Sequence, residues 1–283
     1  MNVISKKRCV IADGPIWNEK EKLLYFLNAP EREICTLDLS TKKLKIRKVD
    51  KSCSAICFDK NYKLIVSRSD GVFYLNDNDV IEPLYDTEKY NIINANDMKV
   101  GPDGRIYVGT ISSAKLGLSK AVDGKLYSID KNGVVNLLLD KLYVSNGLEW
   151  SIDEKRFYHT DSNTATIKEY YFDKNLGTIE YTGRKIFLSS GVDGFTINQN
   201  DNLVVTRWDD KDVCFIDTKT MQIIENISIP KTNPTSCCFA SENLDFLVVV
   251  TSSIDGIENG NENAGYTFVV KRKIGGRKPY LFG

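Results

Sequence analysis

The sequence is poor in the residues that carry catalysis or metal binding through nitrogen and sulfur. Its 283 residues include one histidine, His159, and seven cysteines without a metal-ligand spacing. A zinc–thiolate site or a catalytic cysteine would therefore lack an imidazole partner. We interpret the thiols as buried and reduced. We interpret His159 as structural, which disfavours a Ser/His/Asp mechanism.

The sequence also lacks an excess of charge and any long apolar run. Lys plus Arg and Asp plus Glu number 38 each, so the formal net charge is zero, which argues against a nucleic-acid surface. No segment approaches the roughly 18 apolar residues of a membrane span, and no apolar stretch follows the basic residues 6–8. We expect a soluble, cytoplasmic protein without a membrane partner. The oligomeric state stays open, and a monomer is compatible with the sequence.

Long amphipathic helices, linkers and low-complexity tracts are missing as well, and an internal repeat takes their place. Six segments each contain a short apolar strand, a turn of polar residues and a second apolar strand. The last large apolar residues before these turns, here called the anchors, are 41 to 50 residues apart: Trp17, Phe58, Val100, Trp150, Ile197 and Phe239. Four strands at such a period are typical of a propeller blade.

The repeat predicts an all-β, single-domain, six-bladed β-propeller over residues 1–283. The predicted second strands follow the anchors: Leu23–Phe26, Leu64–Val66, Ile106–Val108, Phe157–Tyr158, Leu203–Val205 and Phe246–Val248. Residues 8–11 precede the first anchor, and we expect the N-terminal strand to join the C-terminal blade and close the ring, which leaves no exposed edge.

A polar residue stands four positions before every anchor. These six register positions are Asp13, Ser54, Asn96, Asn146, Asp193 and Thr235. The first strand of each propeller blade lines the central channel, so equivalent positions should form one ring of oxygen-bearing side chains. Hard cations prefer such ligands. The alternative is that each residue satisfies only nearby backbone groups, as Asp, Asn and Ser commonly do before a strand.

The longest interruptions predict that one face carries the function. Both follow a second strand, at residues 112–124 and 252–265. In an antiparallel blade, these loops lie on the same face as the register positions and are expected to overhang them.

The sequence resembles the SMP-30/gluconolactonase/luciferin-regenerating-enzyme family, the regucalcin-like proteins, over nearly its whole length. The stretches that carry the resemblance lie in five blades: Asp13-Gly-Pro-Ile-Trp17, Asn96-Asp-Met-Lys-Val-Gly-Pro-Asp-Gly-Arg105, Ser145-Asn-Gly-Leu-Glu-Trp150, Val192-Asp-Gly-Phe195 and Thr235-Ser-Cys-Cys-Phe239. The resemblance implies a six-bladed propeller with one divalent metal, and sugar-lactone hydrolysis in several members.

The family's motifs imply roles for residues of this chain. Asp13 stands where the family has a glutamate as first metal ligand, while Asn146 and Asp193 match the second and third ligands. Asn96 matches a substrate-binding asparagine, and Asn94 replaces a substrate-binding arginine of the animal members. The resemblance also implies that a sugar-holding glutamate of the family is replaced near Ala114. The implied metal site is largely kept, while the sugar-binding residues are altered.

These roles predict a hydrolase that uses a divalent cation to cleave a lactone or related ester. Calcium is the first expectation for the cofactor, with magnesium, zinc or manganese as alternatives. Asp193 would hold the metal and orient or deprotonate the attacking water, and a metal-bound hydroxide is the other candidate base. Two further hypotheses stay open: a calcium-binding or scaffold propeller without turnover, and a propeller hydrolase of non-sugar esters such as phosphotriesters.

Overall fold

The fold of the chain is almost entirely β-structure. The computed structural model describes residues 1–76, 78–189, 191–229, 232–254 and 262–283. These residues contain 24 β-strands and two three-residue 3-10 helices, Ala29–Glu31 and Ser162–Thr164. Within these ranges, no helix is long and apolar enough to cross a membrane. The predicted fold class is confirmed at this level.

The strands form six antiparallel four-stranded sheets, the six blades of a β-propeller. In blades 1 to 3 the strands are β2 (Ala12–Asn18), β3 (Leu23–Asn28), β4 (Glu33–Leu37) and β5 (Leu44–Lys48); β6 (Cys53–Phe58), β7 (Leu64–Arg68), β8 (Gly71–Leu75) and β9 (Ile81–Pro83); and β10 (Ala95–Val100), β11 (Ile106–Thr110), β12 (Gly124–Ile129) and β13 (Val135–Leu142).

Blades 4 to 6 follow the same pattern, except that the last strand of blade 6 comes from the start of the chain. Their strands are β14 (Ser145–Trp150), β15 (Arg156–Asp161), β16 (Thr166–Asp173) and β17 (Thr178–Phe187); β18 (Val192–Ile197), β19 (Asn202–Arg207), β20 (Asp212–Asp217) and β21 (Gln222–Ser228); and β22 (Asn233–Ala240), β23 (Phe246–Ser252), β24 (Thr267–Lys271) and β1 (Asn2–Ser5). Every predicted second strand lies inside an observed one.

The anchors are buried residues at the ends of the first strands, which explains their regular spacing. Each is at most 4% exposed, and Trp150 is fully buried. In blade 4 the Trp150 ring lies 5.0 Å from that of Phe157 and 4.8 Å, edge to face, from that of Tyr107 in blade 3. Aromatic pairs in this arrangement contribute about 0.5–1.5 kcal/mol beyond the area they bury. The repeat in the sequence is therefore a repeat of core contacts.

Close contacts within the chain define two compact units of three blades each. The first unit comprises residues 1–52 and 188–279, with blades 1, 5 and 6, and the second comprises residues 53–187 and 280–283, with blades 2, 3 and 4. In the first unit β22 packs beside both β18 and β2, and in the second β10 packs beside both β6 and β14. First strands of successive blades thus lie side by side within each unit.

The N-terminal strand belongs to blade 6. β1 pairs antiparallel with β24 and is the fourth strand of that sheet. Residues 8–11, which precede the first anchor, lie outside this strand, and Ile11 forms an isolated bridge with Ser252. Buried Glu33 of blade 1 accepts Lys7 Nζ at 2.8 Å and Asn28 Nδ2 at 2.7 Å. The segment after β1 is therefore tied to blade 1.

The seven cysteines are free thiols, and six of them are buried. Burial raises the pKa of the Cys57 thiol, and a hydrogen bond with Cys35, together with burial, raises the pKa of Cys9. Raised pKa values keep these groups in the unreactive thiol form. The prediction of buried cysteines is confirmed for six of the seven, and Cys238 is partly exposed.

The last four residues of the chain hold the turns of the second unit. Phe282 is buried, pairs with Asp59 of blade 2 and exchanges backbone hydrogen bonds there, while Gly283 N donates to Gly104 O of blade 3. The Tyr280 hydroxyl donates to Glu154 of blade 4 at 2.8 Å. The C-terminal tail therefore joins three blades that are distant in sequence.

We predict that Phe282→Ala destabilises the protein by about 3 kcal/mol, because it removes a buried aromatic ring. The free energy of unfolding from urea denaturation measures the effect. Leu281→Ala is the matched control, since the neighbouring side chain is only partly buried. Equal losses for the two variants would contradict the role assigned to Phe282.

Candidate functional site

All six register positions lie at or beside a β-bulge of a first strand. In every pairing of a first with a second strand, the register shifts near that residue. The shifts fall between Asp13 and Ile16, Cys53 and Ala55, Ala95 and Met98, Asn146 and Leu148, Val192 and Phe195, and Pro234 and Ser236. A bulge leaves a residue outside the ladder and re-aims its side chain. The common register in the sequence therefore reflects a common backbone distortion.

Glycine follows three of these positions, and at two of them the backbone requires it. Gly14 and Gly147 have φ of 55° and 46°, the left-handed region that other residues rarely adopt. Gly194 is restricted by packing instead, since a Cβ atom there would lie 2.2 Å from Ser236 Oγ. The bulges after Asp13, Asn146 and Asp193 are thus the ones with glycine.

Three register positions donate hydrogen bonds to the next blade. Thr235 Oγ1 donates to Ala12 O at 2.5 Å, Ser54 Oγ to Ala95 O at 2.7 Å, and Asn96 Nδ2 to Ser145 O at 3.2 Å. Each acceptor is the carbonyl of the residue just before the next register position. For Ser54 and Thr235, the structure supports the alternative that the side chain satisfies nearby backbone groups.

We predict that Thr235→Val lowers the free energy of unfolding by about 1–3 kcal/mol, because the buried Ala12 carbonyl loses its side-chain donor. Valine keeps the shape of threonine. Chemical denaturation measures the loss, and Thr196→Val, at a partly exposed position of β18, is the control. An unchanged stability would show that this hydrogen bond contributes nothing.

The second unit joins Asn96 and Asn146 directly. Asn96 Nδ2 donates to Asn146 Oδ1 at 3.2 Å, and Asn146 Nδ2 donates to Ser162 Oγ at 3.1 Å. These contacts orient the Asn146 amide so that its nitrogen faces Ser162 and its oxygen faces Asn96. Asn146 is 9% exposed, whereas Asn96 is partly exposed. The structure therefore brings together two of the predicted site residues.

The first unit contains the two predicted acidic ligands, Asp13 on β2 and Asp193 on β18. Asp13 Oδ1 accepts the Gly14 backbone N–H at 2.7 Å, and both side chains are partly exposed. No group of three or more His, Cys, Asp or Glu side chains with metal-binding spacing occurs in the described residues. The proposed ligand set includes only two residues of these types, and its assembly into one site stays a prediction.

Asn94 lies in the segment that enters β10 and has a left-handed backbone, with φ of 55°. Its N–H donates to Ser69 O at 2.7 Å, and its carbonyl accepts the Ile111 N–H at 2.9 Å. The backbone is thus fixed between blades 2 and 3. Its side chain lines a cavity together with residues of β11 and β12.

Asp97 is a neighbour of the site to which the sequence pattern gave no role. Its carboxylate accepts the N–H of Met98 at 2.8 Å and that of Gly147, so it supports the bulge beside Asn146. Burial raises the pKa of Asp97 despite the opposing charge of Lys99. Lys99 Nζ in turn pairs with buried Glu149 at 3.1 Å. Acid–base groups therefore continue along β10 and β14 beyond Asn96 and Asn146.

His159 forms a buried pair with Ser145, the residue before Asn146. His159 Nε2 lies 2.8 Å from Ser145 Oγ, and the two residues are 2% and 0% exposed. A Cβ atom at Gly109 would lie 2.3 Å from Ser145 Oγ, so the hydroxyl is closely packed. Burial, with a smaller effect of Lys168, lowers the pKa of His159 to about 3. The pair supports β14, as expected for a structural histidine.

We predict that the imidazole of His159 stays neutral between pH 5 and 8, where an unperturbed histidine titrates. Because it is the chain's single histidine, its NMR signals identify themselves. The unfolded chain binds this proton below about pH 6.5. The free energy of unfolding should therefore fall as the pH falls from there towards 3. A chemical-shift titration with a midpoint near 6.5 would contradict the buried pair.

Known structures share this fold over the full chain, which places the protein in a class of six-bladed propellers. The calcium-binding protein regucalcin from Agrobacterium tumefaciens has a TM-score of 0.87 at 20% identity, with 99% of this chain and 96% of that chain covered. A luciferin-regenerating enzyme also has a TM-score of 0.87, at 26% identity, with 99% and 98% covered.

The chain belongs to the SMP-30/gluconolactonase/LRE-like family, whose sequence profile matches residues 11–253. Bovine regucalcin (Bos taurus) is 27% identical over 263 residues, 90% of this chain and 87% of its own. A Bacillus subtilis (strain 168) protein provisionally named as sugar lactone lactonase YvrE is 27% identical over 283 residues, 97% and 96% of the two chains. The resemblance predicted from the motifs is confirmed, and the family supports a sugar-lactonase function.

Proposed function

We propose that the protein hydrolyses a sugar lactone or a related ester, using a divalent cation, with calcium as the first candidate. Asp13, Asn146 and Asp193 would hold the cation, and Asn96 and Asn94 would face the substrate. The observation that carries the proposal is the family match over residues 11–253, which includes all of these positions. The similarity to a protein named as a sugar lactone lactonase supports the substrate class.

The side chains present suit a hard cation. All three proposed ligands offer oxygen, and two ionised aspartates supply charge that compensates the cation. The amide of Asn146 is oriented by Ser162 and Asn96, and its carbonyl oxygen has two lone pairs, of which the bond from Asn96 uses one. Ser54 and Thr235 donate to backbone carbonyls and are uncharged, so they cannot compensate the charge of a cation as the aspartates do.

The chain's own residues account for binding and proton transfer. A bound divalent cation supplies Lewis-acid polarisation of the scissile carbonyl. A carboxylate oxygen of Asp193 would orient the attacking water and accept its proton. The amide of Asn96, fixed against Ser145 O and Asn146, would hold a substrate hydroxyl or carbonyl in place. Fixing reactants in this way lowers the entropic part of the barrier.

In the animal members, an arginine binds the substrate at the position of Asn94. Its replacement by asparagine favours a different lactone as the substrate of this protein. Asn94 is uncharged and much shorter than arginine, and its side chain borders a cavity. We therefore propose only the class of substrate, a lactone, and expect residues such as Asn94 to decide which sugar is bound.

We predict that Asp193→Asn lowers kcat/KM for the preferred lactone at least about 100-fold, the effect expected for loss of a general base, and weakens calcium binding. A panel of lactones and phosphotriesters with added Ca²⁺, Mg²⁺, Zn²⁺ or Mn²⁺ measures turnover, and calorimetry measures cation binding. Asp140→Asn is the matched control, since Asp140 is exposed on β13.

Two outcomes would overturn the proposal. Tight cation binding without hydrolysis of any ester in the panel would instead indicate a calcium-binding or scaffold protein. Hydrolysis of phosphotriesters alone would indicate a non-sugar esterase. Full activity of Asp193→Asn would remove its assigned role.

A further inference from the structure

A cavity of about 160 Å³ lies beside the segment that enters β10. Its polar wall residues come from three parts of the second unit: Asn91 and Asn94 before β10, Thr110 at the end of β11, and Asp123, just before β12, with Lys125 and Tyr127 on β12. Lys125 and Tyr127 are two residues apart on one strand, so their side chains point to the same side of the blade.

Two of the polar groups in the wall are already engaged. Thr110 Oγ1 accepts the Lys125 N–H at 2.8 Å. Asp123 accepts the Ser113 N–H at 2.6 Å and the Ser113 hydroxyl at 2.7 Å, which fixes the start and end of loop 112–124 together. The Ser113 hydroxyl and N–H, with a smaller effect of Lys125, lower the pKa of Asp123, so it stays ionised at neutral pH.

The remaining polar groups have ligand-binding capacity that the protein does not use. Within the described ranges, neither the Lys125 ammonium nor the Tyr127 hydroxyl has a hydrogen bond or ion pair. The side-chain amide of Asn94 is likewise uncommitted within those ranges. All three residues are partly exposed, so a ligand can reach them. The cavity therefore offers one cation, Lys125, and several neutral hydrogen-bonding groups, while the ionised Asp123 in the same wall accepts from Ser113.

The cavity adjoins the residue proposed to bind substrate. Asn94 is two residues from Asn96, which places their Cα atoms at most roughly 7 Å apart. Ala95, between them, pairs with Thr110 of the cavity wall. A substrate held at Asn96 would thus extend into the cavity with its distal end.

We infer that this cavity binds an anionic substituent of the substrate, a carboxylate or phosphate, through Lys125, with Tyr127 and Asn94 as additional hydrogen-bonding groups. The inference rests on the proposed function and narrows its substrate class to lactones that carry an acidic group away from the reacting carbonyl. An ammonium pairs with an oxyanion more strongly than with a neutral hydroxyl. A neutral sugar would offer the Lys125 ammonium only uncharged oxygen atoms.

The test compares the equilibrium binding of open-chain ligands that differ in charge at one end: D-glucarate, 6-phosphogluconate, D-gluconate and D-glucitol. We expect the wild type to bind glucarate or 6-phosphogluconate about tenfold more tightly than gluconate, and glucitol weakest. The tighter of glucarate and 6-phosphogluconate identifies whether a carboxylate or a phosphate is preferred. The preference should weaken as salt is raised, because the site is partly exposed.

Variants assign the preference to the cavity. Lys125→Met should reduce the ratio of the affinities for the preferred anionic ligand and for gluconate to about one, and Lys125→Arg should restore much of the preference. Lys131→Met, at an exposed turn that follows β12, is the matched control and should leave it unchanged. Unchanged preference in Lys125→Met, with an unaltered unfolding midpoint, would overturn the inference, as would a wild type that binds neither glucarate nor 6-phosphogluconate more tightly than gluconate.

Binding and turnover separate this inference from the proposed function. A Lys125-dependent preference without hydrolysis of any lactone would support the cavity and refute the enzyme. Hydrolysis of neutral lactones that is unaffected by Lys125→Met would support the enzyme and refute the cavity's role.

Discussion

Within each compact unit, the first strands of neighbouring blades lie side by side without forming a common sheet, and the carbonyl groups between them must still find donors. Buried backbone groups without partners are expensive, so the fold depends on how these gaps are filled. Here side chains fill them. Thr235, Ser54 and Asn96 each donate across to the residue before the next register position. One constraint therefore places polar residues at equivalent points of several blades.

This constraint also explains why a functional site and a structural feature look alike in the sequence. The bulge frees a register side chain from the ladder. The freed side chain can then donate to a backbone carbonyl or offer its oxygen to a ligand. Asn96 does the first through Nδ2, and the same nitrogen orients Asn146. Hydroxyl groups suit the donor role, whereas carboxylates accept only. Residue chemistry, rather than position, separates Ser54 and Thr235 from Asp13 and Asp193.

Periodicity revealed the blades because core contacts repeat with the strands, and anchors such as Trp150 are buried for the same reason in each blade. The bounds of the strands could not be predicted as well: the N-terminal strand was expected in the C-terminal blade, but it ends before the stretch 8–11 that was considered for this role. β1 is formed by residues 2–5, whose sequence has no partner signal beyond ordinary alternation. Contacts between residues far apart in the chain, such as Phe282 with Asp59, have no periodic signal at all.

Contacts between distant residues of the candidate site could not be predicted from the sequence either. Position and residue type indicated Asn96 and Asn146, and the structure brings them into contact. The supporting residues, Ser162, Asp97 and the pair of Ser145 with His159, follow only from the packing of β10, β14 and β15. Lys125 and Tyr127 read in sequence as ordinary alternating strand residues. The proposed role of Lys125 and Tyr127 depends on the short side chain of Asn94, because a longer side chain at this position would extend into the cavity that both residues line. The proposed specificity thus rests on the segment before β10 and on β12, while the first strands keep the arrangement that the backbone requires.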